Sequence, residues 1–235
     1  MRGFACNVGG AGGVSPGVST TMPSFTRRIF LCSLVAAAAC GGADATTKKQ
    51  ASPPAERTET PPKPRTSDGP TDVGYFAGGC FWGVEHFLEM MPGVIDVESG
   101  YMGGEKEAPT YEEVSSGDSG HAETVRVTFD PQQVTYAAVA KRFFEIHDPT
   151  QVDRQGPDIG TQYRSAVYVT GPEQRAAVDE LIGKLKANGY AVATTVHDAR
   201  KFWKAEDYHQ DYYAGNKKTP YCHTPVPRFD RPAKE

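Results

Sequence analysis

The spacing of hydrophobic and polar positions predicts alternating strands and helices in residues 73–235. Residues 73–77 form a short apolar run typical of a buried strand, and residues 84–90 place apolar side chains at helical spacing. Residues 122–129 alternate apolar and polar positions, which predicts a half-buried strand. Residues 135–147 carry a one-sided apolar stripe, so we expect a helix there.

The remaining pattern completes an α+β fold. We expect further strands at residues 94–101, 163–170 and 191–196, and helices at residues 110–115, 172–188 and 204–213. The order strand, helix, strand, strand, helix, strand matches the ferredoxin-like split βαβ plan, an α/β plait sandwich. We therefore predict this plan with appended elements and an irregular, mobile C-terminal tail.

Residues 1–40 have the pattern of an export signal rather than of a folded domain. Arg27 and Arg28 precede an apolar run at residues 29–39 that is too short to span a bilayer. The run ends in Ala37-Ala38-Ala39-Cys40, which resembles a lipoprotein cleavage site where the cysteine carries the lipid. We expect translation to start at Met22 and the product to be exported, either periplasmic or attached to the membrane through Cys40.

Residues 41–72 differ in composition from the chain on either side. They are rich in Pro, Thr, Ser and Lys and have hardly any large apolar residue, so they cannot bury enough surface to offset their ordering entropy. We predict a disordered linker there, followed by one catalytic domain at residues 73–235. The whole chain has a net charge of −4 and no notable basic cluster, which argues against nucleic acid as a partner. We expect a monomer.

Cys80 lies where the first predicted strand meets the first predicted helix, between Gly79 and the aromatic pair Phe81 and Trp82. The unpaired N–H groups of a helix's first turn favour thiolate over thiol. A cysteine among apolar residues is often only a small core residue. The flanking glycines favour a reactive thiol instead, because glycine is used where the backbone makes a close approach or an unusual turn.

The chain has five cysteines, of which Cys80 and Cys222 lie in the predicted domain. In an exported protein the two thiols could form a permanent staple or a redox couple. The spacing of Cys and His residues contains no zinc-like pattern, so we expect no metal. Glu123 at a strand start, Asp158 in a Gly-rich loop and Tyr163 at a strand start are candidate partners of the thiol, although each taken alone is a modest signal.

Six motifs in order identify a family resemblance. The sequence from residue 73 to residue 223 resembles peptide methionine sulfoxide reductase A, the enzyme for the S epimer of the sulfoxide. The motifs are GCFWG at 79–83, SGYMGG at 99–104, PTYEEV at 109–114, SGDSGHAE at 116–123, HDPTQ at 147–151 and GTQYRS at 160–165.

The resemblance implies a role for each candidate on the polar side of the site. Cys80 would attack the sulfoxide sulfur as a thiolate, and Glu123 would be the acid that protonates the leaving oxygen, which requires a buried, protonated carboxyl. Tyr111 and Tyr163 would donate hydrogen bonds to the sulfoxide oxygen. Asp158 would help to hold the polar side of the site.

The resemblance also implies a substrate pocket and a second thiol step. Phe81 and Trp82 would hold the substrate's S-methyl group. Cys222 would attack the sulfenic acid on Cys80 and form a disulfide, which thioredoxin or a similar dithiol would reduce. The expected substrates are oxidised proteins and peptides and free methionine sulfoxide, and no cofactor is expected beyond the external dithiol.

Two other functions compete with this interpretation. In a cysteine hydrolase or acyltransferase, His121 or His147 would activate Cys80, and turnover would need no added thiol. In a non-catalytic lipoprotein, a Cys80–Cys222 disulfide would only staple the fold, and dithiothreitol would lower its stability.

Overall fold

A computed structural model describes residues 69–230 of the chain. The predicted signal segment, Cys40 and most of the predicted linker lie outside the described residues, as do residues 231–235. Between residues 69 and 230, no helix is both long enough and apolar enough to cross a membrane.

The described residues form eight strands, five α-helices and two short 3₁₀ helices. In chain order they are β1 (Asp72–Gly78), α1 (Phe81–Glu89), β2 (Val94–Met102), α2 (Tyr111–Ser115), β3 (Ala122–Phe129), α3 (Tyr136–Ile146), β4 (Arg154–Gln155), β5 (Asp158–Ile159), a 3₁₀ helix (Thr161–Tyr163), β6 (Ser165–Val169), α4 (Pro172–Ala187), β7 (Thr195–Asp198), β8 (Trp203–Lys204), a 3₁₀ helix (Asp207–His209) and α5 (Tyr212–Asn216).

Six of the strands form one mixed sheet in the order β7-β6-β1-β3-β2-β8. Strand β1 runs antiparallel to both of its neighbours, β3 and β6, and β2 runs antiparallel to β3 and β8. Only the β6–β7 pair is parallel, and β4 and β5 form a separate small hairpin. Because β1 lies inside the sheet between β3 and β6, Cys80, which follows its carboxyl end, lies near the ends of both neighbouring strands.

Helices α1, α3 and α4 pack against one face of the sheet and enclose the main core. Inward residues of the strands, such as Phe76, Val125 and Val167, meet helix residues such as Leu88 and Phe143 in this core. A smaller cluster lies on the other face, where partly buried side chains of the 199–202 segment cover it. This is the layer arrangement of an α+β protein.

The predicted elements with strong periodicity are confirmed. Strand β3 has the predicted bounds, and helix α3 begins one residue after Thr135, whose hydroxyl accepts a hydrogen bond from the Ala138 N–H (3.2 Å). Helix α4 begins at Pro172, and the 189 position after it is a glycine with φ +91°. Local capping chemistry explains why these ends were predictable.

The predicted helix at residues 204–213 is wrong, because that segment is divided among β8, a 3₁₀ turn and the start of α5. The Gln210 side chain bonds both the N–H and the C=O of Ser99 (both 3.0 Å), and Glu206 accepts a 2.8 Å hydrogen bond from the Tyr101 hydroxyl. These long-range bonds replace the local bonds of a helix. Three further strands differ: β4 and β5 lie within a predicted loop, and β7 begins at Thr195 instead of residue 191.

Candidate active site

Cys80 is the N-cap residue of α1 and is only 6% exposed. The preceding Gly79 has φ +96°, and a Cβ at this position would lie 2.4 Å from the Gln155 side chain. A side chain at residue 79 would therefore be both strained and blocked. The turn aims the Cys80 thiol at the amino end of α1, where the backbone N–H of Trp82 hydrogen-bonds the sulfur.

Glu123 reaches the same point from β3, a strand whose residues are mostly buried. Its side chain is 2% exposed, and its Oε2 accepts a hydrogen bond from the Phe81 N–H (3.0 Å). Burial raises the pKa of Glu123 to about 8, against the opposing effect of that N–H group. A carboxyl with this pKa holds its proton at neutral pH.

Tyr111 and Tyr163 bring two phenols near Cys80 and Glu123. Tyr111 is the first residue of α2, whose position is fixed by the bond from its N–H to Glu206 (2.9 Å), and Tyr163 ends the 3₁₀ helix before β6. Burial and the nearby Glu123 raise the pKa of both hydroxyls, and Cys80 lies near enough to contribute to each shift. Both phenols therefore remain protonated donors.

Cys222 approaches Cys80 from residues 217–230, which we call the C-terminal tail. Both cysteines are free thiols, and their side chains are hydrogen-bonded to each other. The neighbouring Tyr221 donates its hydroxyl proton to the Asp158 carboxylate of β5 (3.1 Å to Oδ1). This contact ties the tail to the β4–β5 hairpin and holds Cys222 over the site.

The thiol pair does not have the charge state that the sequence pattern predicts. The hydrogen bond with Cys222, burial and the nearby Glu123 raise the pKa of Cys80 well above that of an ordinary thiol, despite its place at the start of a helix. The hydrogen bond from Cys80 lowers the pKa of Cys222 to about 6. In this arrangement Cys222 is the better thiolate of the two, because it accepts the hydrogen bond of Cys80 and contacts His223.

Trp82 and Phe81 form an aromatic wall beside Cys80. Phe81 is fully buried, whereas Trp82 is half-buried, with its indole ring stacked on Tyr212 of α5 at 3.7 Å between centroids. The indole N–H donates to His209 Nδ1 (3.1 Å), and the His209 ring also lies 5.0 Å from Phe81. The wall is therefore held from behind by residues that follow β8.

Three of these supporting residues were missed by the sequence analysis. Glu206 positions Tyr111, His209 orients Trp82, and Tyr212 covers one face of its indole. The available signal was a cluster of Tyr and His in a polar segment. Nothing in the spacing of this segment connects it with residues 95 or more positions earlier.

The two histidines that a hydrolase would use are bonded elsewhere. His121 Nδ1 accepts from the Gly104 N–H (3.2 Å), and its Nε2 lies 2.7 Å from the Lys106 carbonyl oxygen. His147 is buried between the Phe143 carbonyl oxygen (2.7 Å) and the Ser165 hydroxyl (2.8 Å). Neither ring is positioned to take a proton from Cys80.

Comparisons with known proteins agree on one family. Residues 72–234 match the family model described as "Peptide methionine sulfoxide reductase". A "Peptide methionine sulfoxide reductase MsrA" of Rhodospirillum centenum is 52% identical over 146 residues, which is 60% of this chain and 67% of that protein. One from Acinetobacter baumannii is 48% identical over 152 residues, 65% of this chain and 88% of that protein.

Two solved structures are similar to this chain. Mxr1 from Saccharomyces cerevisiae in its reduced form has a TM-score of 0.64 at 31% identity and covers 68% of this chain and 95% of its own. Methionine sulfoxide reductase A of Corynebacterium diphtheriae has a TM-score of 0.58 at 37% identity and covers 68% of this chain and 85% of its own. The likeness to both extends over nearly all of the described residues.

Proposed function

The chain belongs to the peptide methionine sulfoxide reductase family, and we propose that Cys80 carries out the reduction of methionine-S-sulfoxide to methionine. The observation that carries this assignment of roles is the buried Glu123 carboxyl beside the Cys80 turn, with its pKa raised to about 8. An acid that keeps its proton at neutral pH is what the chemistry of a sulfoxide requires.

In the first step, the Cys80 thiolate attacks the sulfoxide sulfur and forms an S–S bond, and the S–O bond breaks as the oxygen takes one proton from Glu123 and a second from solvent and leaves as water. Water then attacks Cys80 Sγ, the S–S bond breaks, and methionine leaves as the thioether. The sulfoxide is reduced to methionine while Cys80 is oxidised to sulfenic acid, so one thiol and one sulfoxide give one sulfenic acid and one thioether. Tyr111 and Tyr163 donate hydrogen bonds to the oxygen while it carries negative charge. An unprotonated oxide would be a very poor leaving group.

The raised pKa of Cys80 is compatible with attack as a thiolate, because its largest cause is a contact with the tail. The largest cause of the shift is the hydrogen bond with Cys222, and a further cause is charge on Glu123. Departure of Cys222 removes the first cause, and protonation of Glu123 removes the second. Burial then opposes the start of α1 and the Trp82 N–H, both of which favour thiolate.

In the second step, Cys222 attacks the sulfenic acid and forms the Cys80–Cys222 disulfide with release of water. A thioredoxin-like dithiol then reduces this bond, and the reaction uses no cofactor beyond that reductant. Support comes from the contact between the two thiols in the reduced protein.

The substrate's S-methyl group lies against Trp82 and Phe81, and Asp158 holds the polar side of the site after Tyr221 releases it. Support comes from the bond between the Tyr221 hydroxyl and the Asp158 carboxylate, which is exposed and easily broken. Protein-bound and free methionine sulfoxide both fit an apolar wall that contacts only the end of the side chain.

The finer description of the fold is also part of this proposal. Strands β6, β1, β3 and β2 with helices α1 and α3 form a ferredoxin-like split βαβ sandwich, supported by their order and antiparallel directions. The protein acts as an exported monomer, periplasmic or anchored by a lipid on Cys40, supported by the apolar run and the Ala-Ala-Ala-Cys sequence.

The direct test is turnover of each sulfoxide epimer. The full chain is incubated with dithiothreitol and a peptide that carries either the S or the R sulfoxide, and methionine is followed by chromatography. We expect turnover of the S epimer alone. Conversion of neither epimer would contradict the proposed function. Hydrolysis of an ester or amide without added thiol would favour the cysteine hydrolase.

Removal of the phenols is expected to slow the first step. Tyr111→Phe and Tyr163→Phe should each reduce single-turnover methionine formation by roughly tenfold to a hundredfold, because each removes one donor to the developing negative charge. The control is Tyr75→Phe, since Tyr75 packs on the other face of the sheet. Wild-type rates in both phenol variants would contradict their role.

Cys222→Ser is expected to separate the two steps. The variant should form one methionine per protein and then stop, because the sulfenic acid on Cys80 has lost the thiol that resolves it. Trapping with dimedone followed by peptide mass spectrometry locates the sulfenic acid. Normal cycling of this variant with thioredoxin would show that Cys222 is not the resolving residue.

A further inference from the structure

His223 adjoins Cys222 and takes no part in the two proposed steps. Its Nδ1 lies 3.0 Å from Cys222 Sγ, and its Nε2 lies 2.8 Å from the Gly78 carbonyl oxygen. The residue is 3% exposed although it lies in the C-terminal tail. A polar ring this deeply buried is placed by specific contacts.

The close approach to Gly83 fixes the orientation of the ring, and the bond to Gly78 fixes its proton position. A Cβ at Gly83 would lie 2.1 Å from His223 Nδ1, so the first turn of α1 admits the imidazole only because residue 83 is glycine. The Gly78 carbonyl oxygen can only accept, so Nε2 carries the proton. Nδ1 is then free to accept the proton of Cys222.

We propose that His223 is the general base that deprotonates Cys222 when it attacks the sulfenic acid on Cys80, which rests on the proposed function. The Cys222 proton moves to His223 Nδ1, the new S–S bond forms, and the S–O bond of the sulfenic acid breaks. Glu123 has by then regained a proton from solvent, and the leaving hydroxide takes that proton and departs as water. His223 later returns its proton to solvent, and Glu123 regains one.

Oxidation of Cys80 makes His223 the important partner of Cys222. In the reduced protein two hydrogen bonds lower the pKa of Cys222, first that of Cys80 and then that of His223. Once Cys80 is a sulfenic acid, its thiol proton is gone. His223 is then the remaining partner of Cys222, and it stabilises the thiolate as the imidazolium that forms when Nδ1 takes the Cys222 proton. The histidine therefore acts in the step that follows oxidation.

The other groups facing this pair cannot take the proton. The Asp158 carboxylate already accepts a hydrogen bond from the Tyr221 hydroxyl, and its charge raises the pKa of Cys222. Glu123 already holds a proton at neutral pH, because burial raises its pKa to about 8. His147, which lies near His223, stays neutral because burial lowers its pKa to about 3, and both of its nitrogens are already bonded. Tyr213 holds its own proton, since burial raises its pKa.

A metal does not explain the Cys222–His223 pair. Among residues 69–230, no three His, Cys, Asp or Glu side chains converge in a way that could hold a metal ion. The pair instead has the short contact and the fixed tautomer of a thiol and its base.

The test is the pH profile of disulfide formation in His223→Gln. Glutamine can still donate to the Gly78 carbonyl oxygen but cannot take a proton. After one turnover of S-sulfoxide peptide by the full chain, sulfenic acid loss and disulfide formation are followed by acid quench and mass spectrometry. At pH 7 we expect disulfide formation to be at least roughly tenfold slower than in wild type, with recovery above the ordinary thiol pKa of about 8.5.

Chemical rescue provides a readout that a packing role would not give. In His223→Gly, added imidazole should restore the rate of disulfide formation at pH 7. Additives of similar size that contain no nitrogen should not restore it. If a variant forms no methionine, its Cys80 is oxidised directly with hydrogen peroxide, and the second step is followed alone.

The outcomes separate the two proposals. Absence of methionine from the wild-type chain contradicts the proposed function. Normal methionine formation, followed in His223→Gln by disulfide formation with the wild-type rate and pH profile, overturns the role of His223 alone. Failure of imidazole to rescue His223→Gly also overturns it.

Discussion

Cys80→Ser is expected to form no methionine from either sulfoxide epimer, even in a single turnover with excess protein. A serine hydroxyl at this position is far less nucleophilic than a thiolate and cannot store the oxygen as a stable acid. The measurement is chromatographic detection of methionine after rapid quench. The expected loss is complete, because every later step depends on the oxidised sulfur.

The fold should survive this change, which keeps the result interpretable. Cys80 is the N-cap of α1 and makes no side-chain cap hydrogen bond, and serine is a favoured N-cap residue. We expect the thermal midpoint of Cys80→Ser to equal or exceed that of wild type. Cys222→Ser is the matched control, since it removes the other thiol and retains one turnover. Methionine formation by a folded Cys80→Ser chain would contradict the role of Cys80.

Glu123 substitutions are expected to slow the first step in a graded way. Glu123→Gln keeps a hydrogen-bond donor beside Cys80 without an acidic proton, so it should slow single-turnover methionine formation by roughly a hundredfold, and Glu123→Ala by more. The wild-type pH profile should fall on its alkaline side as the carboxyl proton is lost. This fall should be absent from Glu123→Gln. Equal rates for the two variants, or an unchanged profile, would argue against an acid role.

The same carboxyl should have a measurable effect on stability. Burial raises the pKa of Glu123 from 4.5 to about 8, so its stabilising contribution is full below about pH 4.5 and is lost as the pH rises to about 8. Over that window, the free energy of unfolding of Glu123→Gln should rise relative to wild type by up to about 1.4 kcal/mol per pH unit. Urea unfolding at several pH values measures this difference, and a constant difference would contradict the burial argument.

Most of the central fold follows from local pattern. The alternation in β3, the Thr135 cap of α3 and the Pro172 start of α4 depend on neighbouring residues, so the sequence alone predicts them. The position of strand β8 cannot be predicted from local pattern, because its two residues form a strand only by pairing with Gly100 and Tyr101. Long-range pairing of this kind leaves no periodic signal.

The site shows the same division between local and distant contacts. The Gly79 turn and the N-cap position of Cys80 could be inferred from adjacent residues, whereas the convergence of Glu123 and Cys222 was expected only from the family resemblance. The expected thiolate on Cys80 also depends on distant groups. Its helix position favours thiolate, but the hydrogen bond with Cys222, burial and Glu123 together have the larger effect.

The tail therefore connects the two halves of the proposed cycle. Tyr221 holds the tail through Asp158, and the hydrogen bond with Cys222 raises the pKa of Cys80 in the reduced protein. The same segment then supplies the resolving thiol with His223 beside it. Protection of the resting thiol and its later resolution thus use one set of contacts.

The most direct test of this cycle is the stoichiometry of methionine formed without any external reductant. The full chain, reduced and freed of thiols, is mixed with excess S-sulfoxide peptide, and methionine is counted against protein while the disulfide is mapped by mass spectrometry. We expect one methionine per protein and a Cys80–Cys222 disulfide. No methionine from the S epimer, or methionine without a change at Cys80, would contradict the proposed reaction.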